Sequence, residues 1–507
     1  MNDDTPFLRN HWSMVLSNTL RAALIMALIL IINFASNSAA QEEGNGAIMI
    51  YSAILALSCV AVIAYSIIIW RKTKYYFKDD EIVVLRTTIF RSETRIQYER
   101  LASVNVQRDL VCRLLGTTKL SFNLNSSVNV ARAEAYIVLK SDEAEALRND
   151  LYDRMFRASG GSAVIPADVV ITDVPDEENQ EHGCPRVNPL QEAEPLVDVS
   201  TFDIFLHSVF GMPTTLALFG ILMGIYSVLS LFYGGNVSLF AILIFLVEFI
   251  VPAVTTFMRY YGYRIVRVGD TVSISSGLIS TRTDSFKLTK VNFVRIREPL
   301  MCRLMGRCIL EAEVVGNANE KGMPLLCPLK DKKVALELFA NLLPEFACDS
   351  EFEKQSPVAL VGIGLWMAIT FAFAALMAYG IKVELPAEYV ILLNISVALL
   401  VLGIIGWGVS AYRNRLFAMN DSIVLAVTGS FDKVHNYILL DKVQFANVRT
   451  TPLQRRKGVG RCSIHMLSAS GATYVRSGVF RADVLEKVSS ESLARIRDGR
   501  YDFRKYQ

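Results

Sequence analysis

The 507-residue chain is short of the residues from which most catalytic and metal sites are built. Its five histidines are scattered, and none pairs with a cysteine at zinc-finger spacing. Its eight cysteines form no C-x-x-C pair, the nearest two being Cys302 and Cys308. This leaves no basis for a structural metal; free, mostly buried thiols in a reducing compartment are the ordinary reading. No G-x-x-x-x-G-K-[ST], G-x-S-x-G or H-E-x-x-H motif occurs, so the sequence offers neither a phosphate cradle nor a nucleophile elbow, and it implies no cofactor. Charge is also scarce. Asp, Glu, Lys and Arg make up 20%, and 52 basic against 49 acidic residues leave a net +3, which excludes the strongly basic footprint of a nucleic-acid partner.

What is abundant is apolar. Hydrophobic residues reach 52%, and mean hydropathy is +0.34. Six apolar stretches stand out in three pairs: about Leu20–Ser36 and Ala47–Trp70, Leu206–Phe232 and Val237–Met258, Val358–Tyr379 and Tyr389–Ser410. A bilayer core needs about 20 apolar residues in a helix, and each pair is joined by a short turn. The expectation is therefore three helical hairpins and a protein of the bilayer. The three turns contain one basic residue, Lys382. The opposite ends carry Arg71, Lys72, Lys74, Arg259, Arg264, Arg267, Arg413 and Arg415. Basic residues stay on the cytoplasmic side, so both termini and the long inter-hairpin regions are expected there, in a multi-pass inner-membrane protein.

Each hairpin is followed by a similar polar stretch. A short strand runs into a polar turn (Tyr75–Asp80, Tyr263–Asp270, Leu416–Asp421). A turn step comes next (Thr88-Ile89-Phe90, Gly277-Leu278-Ile279, Gly429-Ser430-Phe431), and then an alternating strand (Leu101–Val106, Val291–Ile296, Val443–Val448). The clearest match is Pro299-Leu300-Met301-Cys302-Arg303-Leu304-Met305-Gly306 against Pro452–Gly460, read as one residue longer, and Asp109–Gly116. Each copy closes on a helical run: Glu143–Phe156, Lys332–Leu343 and Ala482–Arg497. Several short strands capped by one helix are an economical way to bury a core of this size. The expected organisation is hairpin 15–70, module 71–157, linker 158–200, hairpin 203–258, module 259–348, hairpin 357–410 and module 411–500. The linker is acidic and broken by Pro166, Pro175, Pro185, Pro189 and Pro195, the composition of a disordered spacer.

On the polar turn after each hairpin, the G-x-hydrophobic step and the P-L-x-x-R-x-x-G segment, the chain resembles the bacterial pleckstrin-homology membrane proteins, the YdbS/YdbT-like family. The first copy departs from the pattern, with Thr88 for glycine and Asp109 for proline. The resemblance implies six transmembrane helices with three cytoplasmic PH-like barrels, each capped by a C-terminal helix. It also implies, as a partner, a smaller single-module relative of the same family.

Two sets of residues are candidates for function. Arg113, Arg303 and Arg456 recur in the repeated segment. A planar guanidinium suits an anionic headgroup or a partner carboxylate, whereas an arginine at a repeated turn equally serves to tie a loop through backbone carbonyls. Glu248 lies in the fourth apolar stretch, where a charge costs at least about 2.5 kcal/mol to insert. It is either a neutral, hydrogen-bonded structural residue, with Ser227, Asn33 and Asn394 as candidate neighbours, or a proton-coupled one. The leading expectation is a non-enzymatic membrane scaffold or sensor that gathers partner proteins or anionic lipid, in the service of envelope maintenance. The alternative is a transporter or exporter component built on the six-helix bundle and Glu248.

Overall fold

The computed structural model describes residues 7–20, 23, 45–78, 80–87, 91–98, 101–124, 135–158, 194–232, 242, 245–314, 323–348, 350–384, 390–466 and 473–498. The chain divides into two compact units. One is Met1–Ala193 with Ser275–Ser285; the other is Glu194–Ile274 with Phe286–Gln507.

Three modules follow one another, each with six principal strands; the third adds the two-residue strand Phe480–Arg481, paired with Val459 and Gly460. The first has β1 Thr73–Phe77, β2 Glu81–Thr87, β3 Arg91–Gln97, β4 Leu101–Arg108, β5 Thr117–Leu124 and β6 Ala135–Lys140. The second has β7 Arg264–Val268, β8 Thr271–Ser276, β9 Thr281–Lys287, β10 Val291–Glu298, β11 Arg307–Val314 and β12 Leu325–Asp331. The third has β13 Leu416–Met419, β14 Ile423–Thr428, β15 Lys433–Leu439, β16 Val443–Arg449, β17 Val459–Met466 and β18 Thr473–Arg476. The helices are α1 Asn45–Lys72, α2 Leu110–Leu114, α3 Ser141–Ala158, α4 Thr201–Phe210, α5 Thr214–Phe232, α6 Val251–Tyr260, α7 Leu300–Leu304, α8 Lys332–Leu342, α9 Ala359–Glu384, α10 Val390–Arg413, α11 Pro452–Arg456 and α12 Ala482–Arg497.

The repeat is kept to the residue. After strand four, the short helix ends at Gly116, Gly306 or Gly458, with φ of 61°, 67° and 63°. That left-handed turn is where a side chain is disfavoured. Each of these glycines donates its N–H to the carbonyl three residues back, Arg113, Arg303 or Arg455, and its own carbonyl accepts from Ser141, Lys332 or Ala482 at the start of the closing helix. The register between copies is thus an offset of 190 and then 152 residues, with no inserted residue in the third. Two sequence alignments shift by one as a result. Arg455, not Arg456, stands where Arg113 and Arg303 stand; and Thr87, not Thr88, matches Gly277 and Gly429, because Thr87 faces Arg91 across the hairpin.

Among the described residues the expected closed barrels do not form. Strands β1–β2–β3 make a three-stranded sheet, and within the second unit one seven-stranded sheet runs β12–β11–β10–β15–β14–β13, ending on the two-residue strand Glu353–Lys354. Among the described residues strand four of a module does not turn back on its own strand three. In the second unit β10 pairs instead with β15 of the third module, from Phe293↔Ile438 to Glu298↔Lys433. In the first unit β4 takes Thr281–Thr283 in the same way, Val106↔Thr283 to Arg108↔Thr281. Allowing for the offsets, the two registers are identical. A bulge near the start of strand four, between Leu101 and Ser103, Val291 and Phe293, and Val443 and Phe445, recurs in all three copies. A bulge bends and twists its strand, and here it accompanies a strand that is shared rather than closed.

Each module keeps its own buried cluster. In the first it includes Ile82, Ile96, Tyr98, Leu120, Phe122 and Ile137; in the second, Ile265, Val294, Ile309, Leu326 and Phe346; in the third, Phe417, Val424, Ile438, Ile464 and Phe480, joined by Phe293 from β10. The short segment ahead of each hairpin also packs against strand one. Leu8 bridges to Tyr75, Leu196 N–H donates to the Ile265 carbonyl at 2.9 Å, and Glu353 pairs with Phe417. Most of the expected linker 158–200 lies outside the described residues. Its end, 194–200, is described, and there Val197 is buried in the second module's cluster.

Of six expected membrane spans, two are long and apolar enough among the described residues: Ala359–Gly380 and Asn394–Arg413. A third is reached if α4 and the start of α5, bent by 82° at their junction, count as one. α1 is a continuous helix of 28 residues over the second apolar stretch. The first stretch, 20–36, lies almost wholly outside the described residues, and so does the start of the fourth.

Candidate functional site

The second unit contains a cavity of about 1010 Å³ between the second hairpin and the shared sheet. Its upper wall is made by two interruptions in helices. The first is the bend between α4 and α5. Ser200 and Asp203 form a reciprocal capping box that starts α4, and Asp203 also pairs with Lys330 at 2.6 Å and Arg307 at 3.0 Å. The Gly211-Met212-Pro213 run then ends α4, since proline lacks the N–H that a continuing helix requires. The bend is pinned from below. Arg297 Nη2 donates to the Gly211 carbonyl at 2.9 Å, and Asp432 accepts from the Thr214 N–H at 2.9 Å and from its hydroxyl. A carboxylate at the first turn of α5 satisfies donors that the helix leaves open.

The second interruption is a π-turn, Leu246–Ile250, followed by α6 with Pro252 near its start. Proline deletes one i→i−4 bond, and a π-turn absorbs the mismatch. Glu248 sits on this turn and lines the cavity. On the other side of the turn Phe245 and Phe249 stack at 5.7 Å, against the close faces of Gly220 and Gly224 on α5. Small residues four apart let the two segments approach closely.

The floor is the sheet. Arg295 and Arg297 project from β10 on one face, two residues apart, as a strand requires. Arg297 Nη1 pairs with Glu311 at 2.9 Å, and Arg295 Nε donates to Asn436 Oδ1 at 3.2 Å. Asn436 is itself fixed, donating to the Ala426 carbonyl at 3.0 Å. Burial lowers the Arg295 pKa, and Arg297 adds to that. Arg259, at the end of α6, and Arg476, on β18, complete the basic lining. Four arginines thus stand against Glu248, Glu311 and Asp432. Of these acids Glu311 is committed to Arg297 and Asp432 to Thr214. The chemistry on offer is capture of an anion by guanidinium groups. Among the described residues no cluster of His, Cys, Asp and Glu could hold a metal.

The arginines singled out in the sequence are not part of this cavity. Arg113 Nη1 donates to the carbonyls of Leu278 and Ile279, the latter at 3.4 Å, within the first unit. This is the loop-tying role. At the matching place in the second unit Asn414 Nδ2, rather than Arg303, donates to the Ser430 carbonyl. Arg456 lies one residue past the repeated position, as shown above. Glu248 is the one sequence candidate that the cavity includes. Ser227's side chain and Asn33 fall outside the described residues, and Asn394 is exposed. Arg295, Arg297, Asp432 and Asn436 were missed. The available signal was Arg295 and Arg297 alternating with Val294 and Ile296 along the strand 291–298. Also missed was the partner of His435: Glu298 lies 3.9 Å from it across the β10–β15 junction, and Lys332 Nζ is 2.7 Å from the same carboxylate. The buried thiols Cys302, Cys308 and Cys327 are held up at about 12 by burial, as packing residues rather than nucleophiles.

The bacterial PH domain family matches three times, over residues 22–155, 209–346 and 358–496, so that each match takes in a hairpin region and its module. The transmembrane protein YdbT of Bacillus subtilis (strain 168) is 20% identical over 443 residues, covering 84% of this chain and 86% of that protein. No solved structure matches. The chain belongs to the bacterial PH domain family.

Proposed function

We propose that this member of the family is a non-enzymatic inner-membrane scaffold or sensor, held with its modules in the cytoplasm, that responds to anionic lipid at the cavity of the second unit. The observation that carries the reading is the placement of Arg259, Arg295, Arg297 and Arg476 around one cavity directly beneath the bent second hairpin. Headgroup phosphates lie at the ends of membrane helices, and a basic pocket between helices at that level is a recognised way to hold them. Binding there would bear on Arg297 and Asp432, which pin the α4–α5 bend, and on β10, which carries the third module's sheet. A headgroup would thereby be felt by both modules, and the modules would present that state to partner proteins, a single-module relative among them.

The test is lipid retention by the full chain in nanodiscs of mixed neutral and anionic lipid. Native mass spectrometry should show anionic lipid retained by the wild type and lost from Arg295→Gln/Arg476→Gln. Equal retention would remove the reading.

One observation favours a second reading, that of a transporter component: Glu248 lines the same cavity from a π-turn, a feature frequent at functional sites. Glu248→Gln keeps size and most hydrogen bonding but cannot ionise. At equal membrane abundance, loss of an envelope-stress phenotype in both Glu248→Gln and Glu248→Leu supports proton coupling; a wild-type phenotype for Glu248→Gln removes it.

A further inference from the structure

The sheet that joins successive modules leaves two strands without the neighbour that their counterparts have. β10 and β4 each carry a strand-three segment on the outer edge, in one and the same register. β16 is the third strand of this kind. Among the described residues it pairs with β17 alone, and it stands at the end of its sheet. Its exposure follows: β10 is buried at six of eight positions, whereas in β16 only Val443 is buried. At the other end of the repeat, β3 pairs, among the described residues, with β2 alone and is exposed at five of its seven positions.

One side chain sharpens the comparison. Phe293, just after the bulge of β10, is fully buried and belongs to the core cluster of the third module, with Phe417, Val424, Ala426, Ile438 and Leu440. It crosses the junction as a knob. Phe445 occupies the same place on β16, just after the same bulge, and is 54% exposed, stacked only on His465 and its strand. By the repeat offset, the residues that receive Phe293 correspond to Tyr75, Ile82, Val84, Ile96 and Tyr98 of the first module, which form a buried cluster of their own behind β3. The matching receptor for Phe445 is thus the module whose strand three has an open edge.

We propose that β16 of one copy takes β3 of a second copy, continuing between molecules the junction already made within the chain. The internal register sets the pairing: Phe445 opposite Ile96, Ala446 opposite Arg95, Asn447 opposite Thr94, Val448 opposite Glu93 and Arg449 opposite Ser92. The contact is heterologous, one surface of a copy meeting a different surface of the next, so copies in one bilayer build a row or a ring rather than an isologous dimer. The backbone bonds of an edge strand supply attraction, and the Phe445 knob supplies register. This inference is independent of the headgroup reading.

The experiment uses full-length chains in native membranes. One copy carries Ala446→Cys and an epitope tag; the other carries Arg95→Cys and a different tag. Residues facing each other across antiparallel strands lie within disulfide reach. Mild oxidation of membranes with both copies should give a doubly tagged species, absent when either is expressed alone with the wild type. Adding Phe445→Glu to the first copy should cut that species at least about tenfold, as expected for losing a central buried aromatic. Because Phe445 is exposed in the single chain, that variant folds, and its membrane abundance serves as the control. No mixed species, equal crosslinking of Phe445→Glu, or a self-crosslink of Ala446→Cys stronger than the mixed one would each overturn the proposal.

Discussion

Replacing Phe293 by alanine tests whether the shared sheet is an energetic junction or a mere adjacency. The side chain is carried by the second module, yet it is fully buried in the third module's core. Truncating a buried phenylalanine costs about 3–5 kcal/mol, part transfer and part cavity. Here the cavity opens next to Phe417, Val424 and Ile438, so the cost falls on β13, β14 and β15. A loss of about 3 kcal/mol raises the opening equilibrium roughly a hundredfold, and amide exchange reports opening directly. Hydrogen-exchange mass spectrometry of the full chain in detergent should therefore show a large loss of protection in β13–β15, comparable to that in β10. β1 and β2, which belong to the other unit, should exchange as before. Phe293→Leu, which keeps most of the volume, should lie near the wild type. If Phe293→Ala loosens β10 and β11 while β13–β15 keep wild-type protection, Phe293 does not bind the third module and the argument from the shared register fails.

Three further outcomes follow. His435 is held at about 4 by burial, with Lys433 and Lys332 lowering it further and Glu298 opposing them. Between pH 6.5 and 4 the unfolded chain therefore binds a proton that the folded junction does not, and stability falls with falling pH by up to about 3 kcal/mol. Thermal unfolding scans across that range should show the slope, and His435→Gln should flatten it. Deleting 160–190 should leave the folded yield intact, whereas a deletion reaching 198 should lower it, because Val197 is buried and Leu196 pairs with Ile265. Gly220→Leu should destabilise the second hairpin by about 1–3 kcal/mol, since a Cβ there meets Phe249 at 2.8 Å; unchanged detergent melting would show that α5 and the π-turn do not pack so closely.

The threefold repeat was readable because turn chemistry leaves marks in sequence. The polar turn after strand one and the glycine after the short helix survive in every copy, and both answer to backbone geometry. The sharing of strand four left no such mark. Val291–Glu298 and Val443–Arg449 look alike as alternating strands, yet one is central and the other an edge; only partners brought together over some 140 residues decide which. The one-residue errors at Arg456 and Thr88 have a related cause: Pro452 invites alignment with Pro299, but Pro299 caps its helix while Pro452 is the first residue inside, a place proline also suits. The cavity was hidden for the same reason as the sheet. Its walls come from segments far apart in sequence whose residues are unremarkable singly, and Glu248 stood out only because charge in an apolar run is rare.

In each copy strand one pairs with a segment that lies ahead of the apolar stretches in sequence: Leu8 with Tyr75, Leu196 with Ile265 and Glu353 with Phe417. In the third copy Glu353–Lys354 lies beside Phe417–Leu416, so the helix pair 359–413 begins and ends at neighbouring points on the sheet. Mechanically this is a closed loop clamped at its base. Helices adjust to a thicker or thinner bilayer by tilting, at fractions of a kcal/mol per ångström, and a pair fixed at both feet to one strand transmits that tilt as torque on the strand. For a membrane-spanning pair anchored in this way, bilayer thickness would act on the sheet through β13.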